Sequence, residues 1–547
     1  MEIVQYTESM SKTVYQFIKK AFKENGRDFH PESKEKDISC ISEEYLTDGN
    51  FWCLLNNKKE ICGTIALRKL EDYYEVRRLF ILKKYQNIGY GKKLLDTAIN
   101  FAIDMGVRML KAATMKNGLV AQHLFLKCGF TRTEQYNNSS ADNFFQFELT
   151  RKNIFNYKIG YLKNKFETSL ILNPTENVPC CYNLQKTEFF SGLYVSERFK
   201  DLNDKVIFAG RNDYISFFEY IKKEWRQELN AFDVDLKTLS GLNAHLILFL
   251  CILQPGDKVM ILPEICGGHF ATEQILKNIG AITYQMVPDF THLSVDDKKT
   301  MEIIEKERIN YVFVDRSEGL YYEDFSWLKN CNCYKIFDAS QYISSILCKR
   351  FPNPFEMGFD MIVTTLHKNY PGPQKGLLAV KSSNDKIWEK YLLHAKTYIS
   401  NTHPKSIADS LIPLLNKSEF EEYCTLCEKC TQLLENKLHE KNVPIIRRNQ
   451  YFLPTHHIWI LCSDKYDSYS YYLKLENLGL LTNYRLLPYN LGYGLRIGVN
   501  GSVLCGLKEE HIPTLAAIMG DAYSNNITHK LEKRCKAFIK TINSTAL

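Results

Sequence analysis

The sequence lacks an apolar run of membrane length: the longest, Leu246 to Leu253, falls far short of the roughly 20 residues that cross a bilayer. A leader-like start is missing too, because MEIVQYTESM carries acids where a signal peptide carries bases. Excess charge of one sign is small. Lys+Arg 70 against Asp+Glu 63 leave +7 over 547 residues, with no dense basic block interleaved with aromatics. These absences argue against a nucleic-acid or membrane partner and predict a cytoplasmic protein. No repeat with a period of roughly 20 to 50 residues occurs, and no low-complexity tract separates segments.

Cysteine, by contrast, is plentiful at 17 residues. The odd number, irregular spacing and expected reducing compartment make these thiols small buried hydrophobes, not disulfides. Cys424, Cys427 and Cys430 have a C-x-x-C-x-x-C spacing, but the surrounding text is uninterrupted helix with no Gly or Pro to wrap a cluster. They are read as packing residues, and no metal site is expected.

Hydrophobic residues at 45% and charged ones at 24% are ordinary globular values, and the length predicts three or so compact units. Residues 1–152 alternate strand-like runs (FWCLLNN, ICGTIALRKL, YYEVRRLFIL) with helical text. In KKLLDTAINFAIDMG, Leu94, Leu95, Ala98, Ile99 and Ala102 share one helical face. The polar stretch RKNIFNYKIGYLKNK leads into a second part, 153–410, with an N-terminal arm and a longer α/β pattern. Its strands DKVMILPE, INYVFVD, CYKIFDAS, FDMIVTT and KGLLAVK recur with helical text between several of them, the signature of a mostly parallel sheet covered by helices. Residues 411–547 read as a smaller α+β lobe, mainly helical with strands at HHIWILC and GLRIGV.

Two constellations carry chemistry. In the first, Gln86-Asn87-Ile88-Gly89-Tyr90-Gly91 lies between a strand and an amphipathic helix. Glycines there let backbone N–H groups converge at the positive end of a helix, a site suited to pyrophosphate, with Lys92 as added charge. With ICGTIALRKL before it and AQHLFLKCGF after it, this region resembles the GNAT acyltransferases. The resemblance implies that Gln86, Gly89 and Gly91 hold the pyrophosphate of acetyl-CoA, which acts as co-substrate. Amine acylation needs a base, and Glu75 on the preceding strand is best placed for it, unless it is simply solvated or paired with Arg77. The Tyr that supplies the acid in many relatives is Phe125 here. A phenyl ring donates no proton, so the domain uses another acid, needs none, or only binds its ligand.

In the second, FDMIVTTLHKNYPGPQKGLLAVK runs a buried strand into Lys368 and then a Pro/Gly turn. A lysine at a strand's carboxyl end in a parallel sheet is a candidate Schiff-base former. Asp338 ends another apolar strand, where an acid suits a pyridine nitrogen. Ser240 and Gly241 open an apolar helix with donors for a phosphate, and His269 after Gly267-Gly268 offers a ring to stack on a flat cofactor. Together with LILNPTEN, LQPGDKVMILPEICGGH, FDASQ and YGLRIGV, these landmarks resemble the fold type I pyridoxal-phosphate enzymes, and among them serine hydroxymethyltransferase.

The resemblance implies that Lys368 forms the Schiff base with pyridoxal 5'-phosphate and Asp338 pairs with the ring nitrogen. Ser240 and Gly241 hold the phosphate, His269 stacks on the ring, and Ser317 bonds the ring hydroxyl. Arg496 and Thr175 take the substrate carboxylate, while Tyr194 and Glu197, aligned with a one-residue shift, handle substrate oxygen and proton transfer. The family's His after D-x-A is Gln341 here, and the second Ser of S-G-S is Leu242. Lys205 to Gly210 lack two active-site tyrosines of the family, and Val499-Asn500-Gly501 replace T-P-A. These departures leave cofactor attachment intact but put tetrahydrofolate use in doubt.

The expected protein is a bifunctional, homodimeric enzyme. One part makes or breaks a carbon–carbon bond at the Cα of a β-hydroxy amino acid, and the other acylates an amine, both acting on small molecules. The alternatives are transamination or condensation of acyl-CoA with an amino acid, and a GNAT part that only senses acyl-CoA.

Overall fold

The computed structural model describes residues 1–178, 211–399, 402–447 and 454–543. The chain divides into two compact units, one comprising Met1–Thr168 with Asn525–Ala537, the other Ser169–Ser524 with Phe538–Leu547. Among the described residues no helix is long and apolar enough to cross a membrane.

The smaller unit is built on seven strands: β1 (Glu2–Gln5), β2 (Asn50–Leu55), β3 (Ile61–Lys69), β4 (Tyr74–Ile81), β5 (Met109–Thr114), β6 (Thr131–Thr133) and β7 (Asn143–Glu148). Their order is β1-β2-β3-β4-β5-β7-β6, and every pairing except β4 with β5 is antiparallel. The parallel pair holds only from Tyr74–Val76 to Leu110–Ala112. Beyond it β4 continues beside β3 alone, through a bulge where Arg78 takes φ 53°. Helix α1 (Tyr90–Asp104) buries Leu94, Leu95, Ala98, Ile99 and Ala102 against this sheet, the face its spacing predicts. Each of the Leu and Ile side chains taken from water contributes about 1.5–3 kcal/mol.

The larger unit centres on β8 (Asp233–Asp235), β9 (Lys258–Ile261), β10 (Ile282–Gln285), β11 (Tyr311–Val314), β12 (Tyr334–Asp338), β13 (Met361–Thr365) and β14 (Gly376–Val380). The order is β10-β9-β11-β12-β13-β14-β8. The first five run parallel; β14 is antiparallel to β13, and β8 is antiparallel to β14, so β8 again runs with the five. Val312, Phe313, Ile336, Phe337, Ile362 and Val363 are all buried, as strands covered on both faces require. Helix α2 (Gly241–Ile252) packs on this sheet. A separate three-stranded antiparallel sheet joins β15 (Ile458–Leu461), β16 (Asn483–Leu487) and β17 (Gly492–Ile497), with β17 in the middle. The helix Lys417–Glu440 buries Cys424, Cys427 and Cys430, and no group of metal-holding side chains occurs among the described residues.

Candidate active site

Parallel strands of one sheet deliver their carboxyl ends to the same edge, so residues distant in sequence meet there. Lys368 lies just past β13 and Asp338 closes β12. Desolvation pushes the Lys368 ammonium below its ordinary value, with Asp338 opposing and Arg496 reinforcing the shift. Its backbone is pinned, because Asn177 Nδ2 donates to the Lys368 carbonyl at 2.8 Å and to Tyr423 Oη at 3.0 Å. Burial alone would raise the Asp338 carboxyl. His245, whose Nε2 lies 2.9 Å from Oδ2, overcomes this together with Lys368 and the Ser340 N–H, and holds it down to about 2. The result is a buried carboxylate, ionised at neutral pH, beside an amine biased toward its neutral form.

Around this pair the loops form a cradle. Ser240 caps α2, its Oγ accepting from Asn243 N at 3.2 Å. A Cβ on Gly241 would stand 3.1 Å from Thr365 Cβ, a tight contact, so glycine eases the close approach of the helix start to the end of β13. Ser340 Oγ accepts from Thr365 N at 2.9 Å and ties the two strand ends together. Gly267 takes φ 85°, and a Cβ on Gly268 would collide with the Leu262 carbonyl. This tight turn delivers His269, whose Nδ1 accepts from Ala271 N at 3.3 Å. Burial, His245 and Lys368 push His269 down to about 4, so its ring is uncharged at neutral pH. Gln341 is buried, and neither its Nε2 nor its Oε1 finds a hydrogen-bond partner among the described residues. An orphaned buried amide in a site of this kind is a signature of a polar ligand.

Arg496, in the central strand β17, is 4% exposed, and its Nε has no hydrogen-bond partner among the described residues. Burial pushes its guanidinium down to about 10, which leaves it cationic at neutral pH. Nη1 reaches the Ser317 carbonyl at 3.4 Å, so Ser317 and Arg496 adjoin. Thr175 lies in the turn after Asn173, its Oγ1 donating to Asn173 Oδ1 at 2.9 Å. Pro174 packs against Gly498, two residues beyond Arg496. Tyr194 and Glu197 lie outside the described residues, as do Lys205 to Gly210.

In the smaller unit, Gly89 precedes α1 at φ 89° with no side-chain cap, and Asn87 is also left-handed at φ 64°. Gln86 Nε2 donates to the Ile81 carbonyl at 2.8 Å and so braces the loop. Lys92 Nζ is ion-paired with Asp96 at 2.7 Å. The segment Asn525–Ala537 of the same unit seats on this loop: Tyr90 Oη donates to Glu532 and Lys536 Nζ to the Ile88 carbonyl. Glu75, on β4, is buried and accepts from Tyr136 Oη at 3.0 Å and Asn137 Nδ2 at 2.7 Å, with Arg77 Nε at 3.7 Å. Phe125 is buried between Phe130 and Phe145 at 5.3 and 5.4 Å.

Comparison with known proteins bears on both units. Residues 13–130 match the acetyltransferase (GNAT) family and residues 206–447 match serine hydroxymethyltransferase. The chain joins a GNAT domain to a domain of the serine hydroxymethyltransferase family. It is similar to the serine hydroxymethyltransferase of Pyrobaculum calidifontis, 26% identical over 54% of this chain and 72% of that protein. It is also similar to a fluorothreonine transaldolase of Streptantibioticus cattleyicolor, 28% identical over 54% of this chain and 46% of that one. Among solved structures, L-threonine transaldolase from Pseudomonas fluorescens superposes with TM-score 0.67 at 21% identity, over 71% of this chain and 91% of that one. That likeness establishes the fold, an α/β architecture of fold type I.

The hydroxymethyltransferase-type domain thus gathers Lys368, Asp338, Ser240, Gly241, His269, Ser317, Gln341 and Arg496 around one sheet edge, with Thr175 beside them. His245 escapes the sequence reading. A lone histidine in the apolar text NAHLILFLC reads as core, and only packing brings it to Asp338. In the GNAT domain Tyr136 escapes for a similar reason. It sits in the loop text EQYNNSSAD, which has no periodicity to place it.

Proposed function

We propose that the larger unit binds pyridoxal 5'-phosphate and breaks or forms the Cα–Cβ bond of a β-hydroxy-α-amino acid, and that the GNAT domain transfers an acyl group from acetyl-CoA to an amine. The observation that carries the first half is the convergence of Lys368, Asp338 and Arg496, an amine, an ionised carboxylate and a buried guanidinium whose Nε has no hydrogen-bond partner among the described residues.

The residues present fit the cofactor. Lys368 would attach its aldehyde, Ser240 and Gly241 its phosphate, Asp338 its ring nitrogen, Ser317 its hydroxyl, with His269 against the ring face. Gln341, with its amide unsatisfied, would bond the ring substituents nearby. When bound, the cofactor supplies an electron sink for a bond broken at Cα. The chain's own work is orientation and proton handling. Asp338 keeps a proton on the ring nitrogen because its own carboxyl stays ionised. Arg496, with Thr175 nearby, fixes the substrate carboxylate in a planar fork and so selects which Cα bond is aligned for cleavage. Glu197 is proposed to take the β-hydroxyl proton as an aldehyde leaves, with Tyr194 beside the substrate oxygen. The names of the transaldolase and hydroxymethyltransferase relatives support this class of reaction.

In the GNAT domain, the opening between β4 and β5 would admit the acyl chain, and the loop at Gly89 and Gly91 would hold the pyrophosphate. Glu75 would act as base, and Tyr136, hydrogen-bonded to it, supplies the phenol that Phe125 does not. Homodimerisation is proposed for the larger unit, since Leu242, Leu246 and Leu250 form an exposed apolar stripe on α2 beside the site.

The test is to load the protein with pyridoxal phosphate, supply L-threonine and a second aldehyde, and analyse the products by mass. Release of acetaldehyde with formation of a new β-hydroxy amino acid is expected. A keto acid or carbon dioxide without aldehyde exchange would overturn the reading in favour of transamination or acyl condensation. Adding acetyl-CoA should yield the N-acetylated product, and acylation only of unrelated amines would remove the coupling of the two activities.

A further inference from the structure

One buried carboxylate of the larger unit has no role in the scheme above. Glu318 follows Ser317 after β11 and is 2% exposed. Its Oε1 is ion-paired with Arg485 and lies 3.5 Å from Arg496 Nη1, while its Oε2 finds no hydrogen-bond partner among the described residues. The backbone fixes this arrangement. Arg485 on β16 stands opposite Gly494 on β17, and Arg496 lies two residues further along β17. Arg485 and Arg496 are therefore diagonal neighbours on one face of the small sheet. Gly267, whose Cβ would collide with the Glu318 carbonyl, lets the chain bring Glu318 in against the turn that carries His269.

The charges can be counted directly. Within ion-pair distance two guanidinium groups share one carboxylate, which leaves one net positive charge there, and the exposed Glu264 acts on Arg485 from farther off. A third arginine, Arg316, is committed to Glu323, to Tyr489 and to the Cys266 carbonyl, so it adds nothing to this count. A pocket with two uncompensated arginines would complement a dicarboxylic amino acid. With Glu318 holding Arg485, only Arg496 is open, and a second substrate carboxylate would meet Glu318 as a like charge in a desolvated place.

We infer that Glu318 and Arg485 form a charge filter that restricts the donor to glycine or β-hydroxy amino acids with a single carboxylate and an uncharged side chain. Arg485 serves as a positioning residue that draws Glu318 away from Arg496, so that Arg496 can release it when the substrate carboxylate arrives. This inference rests on the proposed function, since it presupposes that Arg496 binds an amino-acid carboxylate.

The test is calorimetric titration of the pyridoxal-phosphate-loaded protein with glycine and with L-aspartate, for the wild type and for Glu318→Gln, Arg485→Met and the double variant, each checked by thermal melting. The wild type should bind glycine at least about tenfold tighter than aspartate. Glu318→Gln should gain roughly tenfold or more for aspartate. In Arg485→Met, Glu318 is left to Arg496 alone, and glycine affinity should fall about tenfold. The double variant should recover glycine binding without gaining aspartate. If Glu318→Gln does not fold, the loss in Arg485→Met and its rescue in the double variant carry the test. An unchanged glycine-to-aspartate preference in Glu318→Gln, or a double variant that fails to recover glycine, overturns the filter while leaving the proposed function standing. A wild type that binds no amino acid overturns both.

Discussion

His269 and His367 are imidazoles that the folded protein keeps uncharged: burial first, and then the neighbouring positive charges, push both down to about 4 from an ordinary 6.5. Between those values the unfolded chain binds more protons than the folded one. Stability therefore rises with pH across the window and is lost as pH falls from about 6.5 towards 4, by at most about 3 kcal/mol per ring. Asp338, held down to about 2, adds a further loss only below its ordinary 3.8. Thermal melts at pH 7, 6 and 5 should show a falling Tm, flattened in His269→Asn, and a pH-independent Tm would contradict the geometry. In the GNAT domain, Tyr136→Phe keeps the ring but removes the phenol on Glu75, and acyl transfer should drop about 10²-fold with little change in acetyl-CoA binding. At this scale the sequence was legible wherever a side chain sits at the end of an apolar strand, as Lys368 and Asp338 do. It was illegible where tertiary packing alone makes the partner, as with His245 on Asp338, Tyr136 on Glu75 and Glu318 between two arginines.

Elements with strong apolar periodicity were readable for a direct reason: strands β9, β11, β12 and β13 are buried on both faces, and α1 buries one stripe. The opening between β4 and β5 was not, because the bulge at Arg78 uses a left-handed arginine and no glycine marks it. The stretch RKNIFNYKIGYLKNK, polar in text, forms the helix Arg151–Glu167, in which Tyr157 is buried and donates to Asp96 at 2.8 Å. The turn at Gly267 and Gly268 is the element that places His269, the histidine proposed to stack on the cofactor ring. Gly268→Ala puts a methyl into the Leu262 carbonyl and should cost roughly 2 kcal/mol or more. The expected result is a lower Tm together with weaker cofactor retention, and a variant as stable as the wild type would show that the turn has room the structure denies it.

Across the whole molecule, each unit has its own sheet and its own hydrophobic core, so the two chemistries should be separable by single substitutions. Lys368→Ala is expected to abolish aldehyde exchange and to leave acetyl transfer within about twofold, and Glu75→Gln to do the reverse. Division into a GNAT-like part and a hydroxymethyltransferase-like part was visible in the order of motifs, because each motif belongs to a complete strand–loop–helix unit. What the chain's ends contribute was not visible: the seating of Glu532 and Lys536 on the loop at Ile88 to Tyr90 joins residues more than 400 positions apart. The account of the larger unit rests on the Lys368 amine as the point of cofactor attachment. Its most direct test is to incubate the protein with pyridoxal phosphate, reduce with borohydride and map the peptides by mass. A single pyridoxyl adduct on Lys368, absent from Lys368→Ala, is the expected result, whereas no adduct, or one on another lysine, would contradict the account.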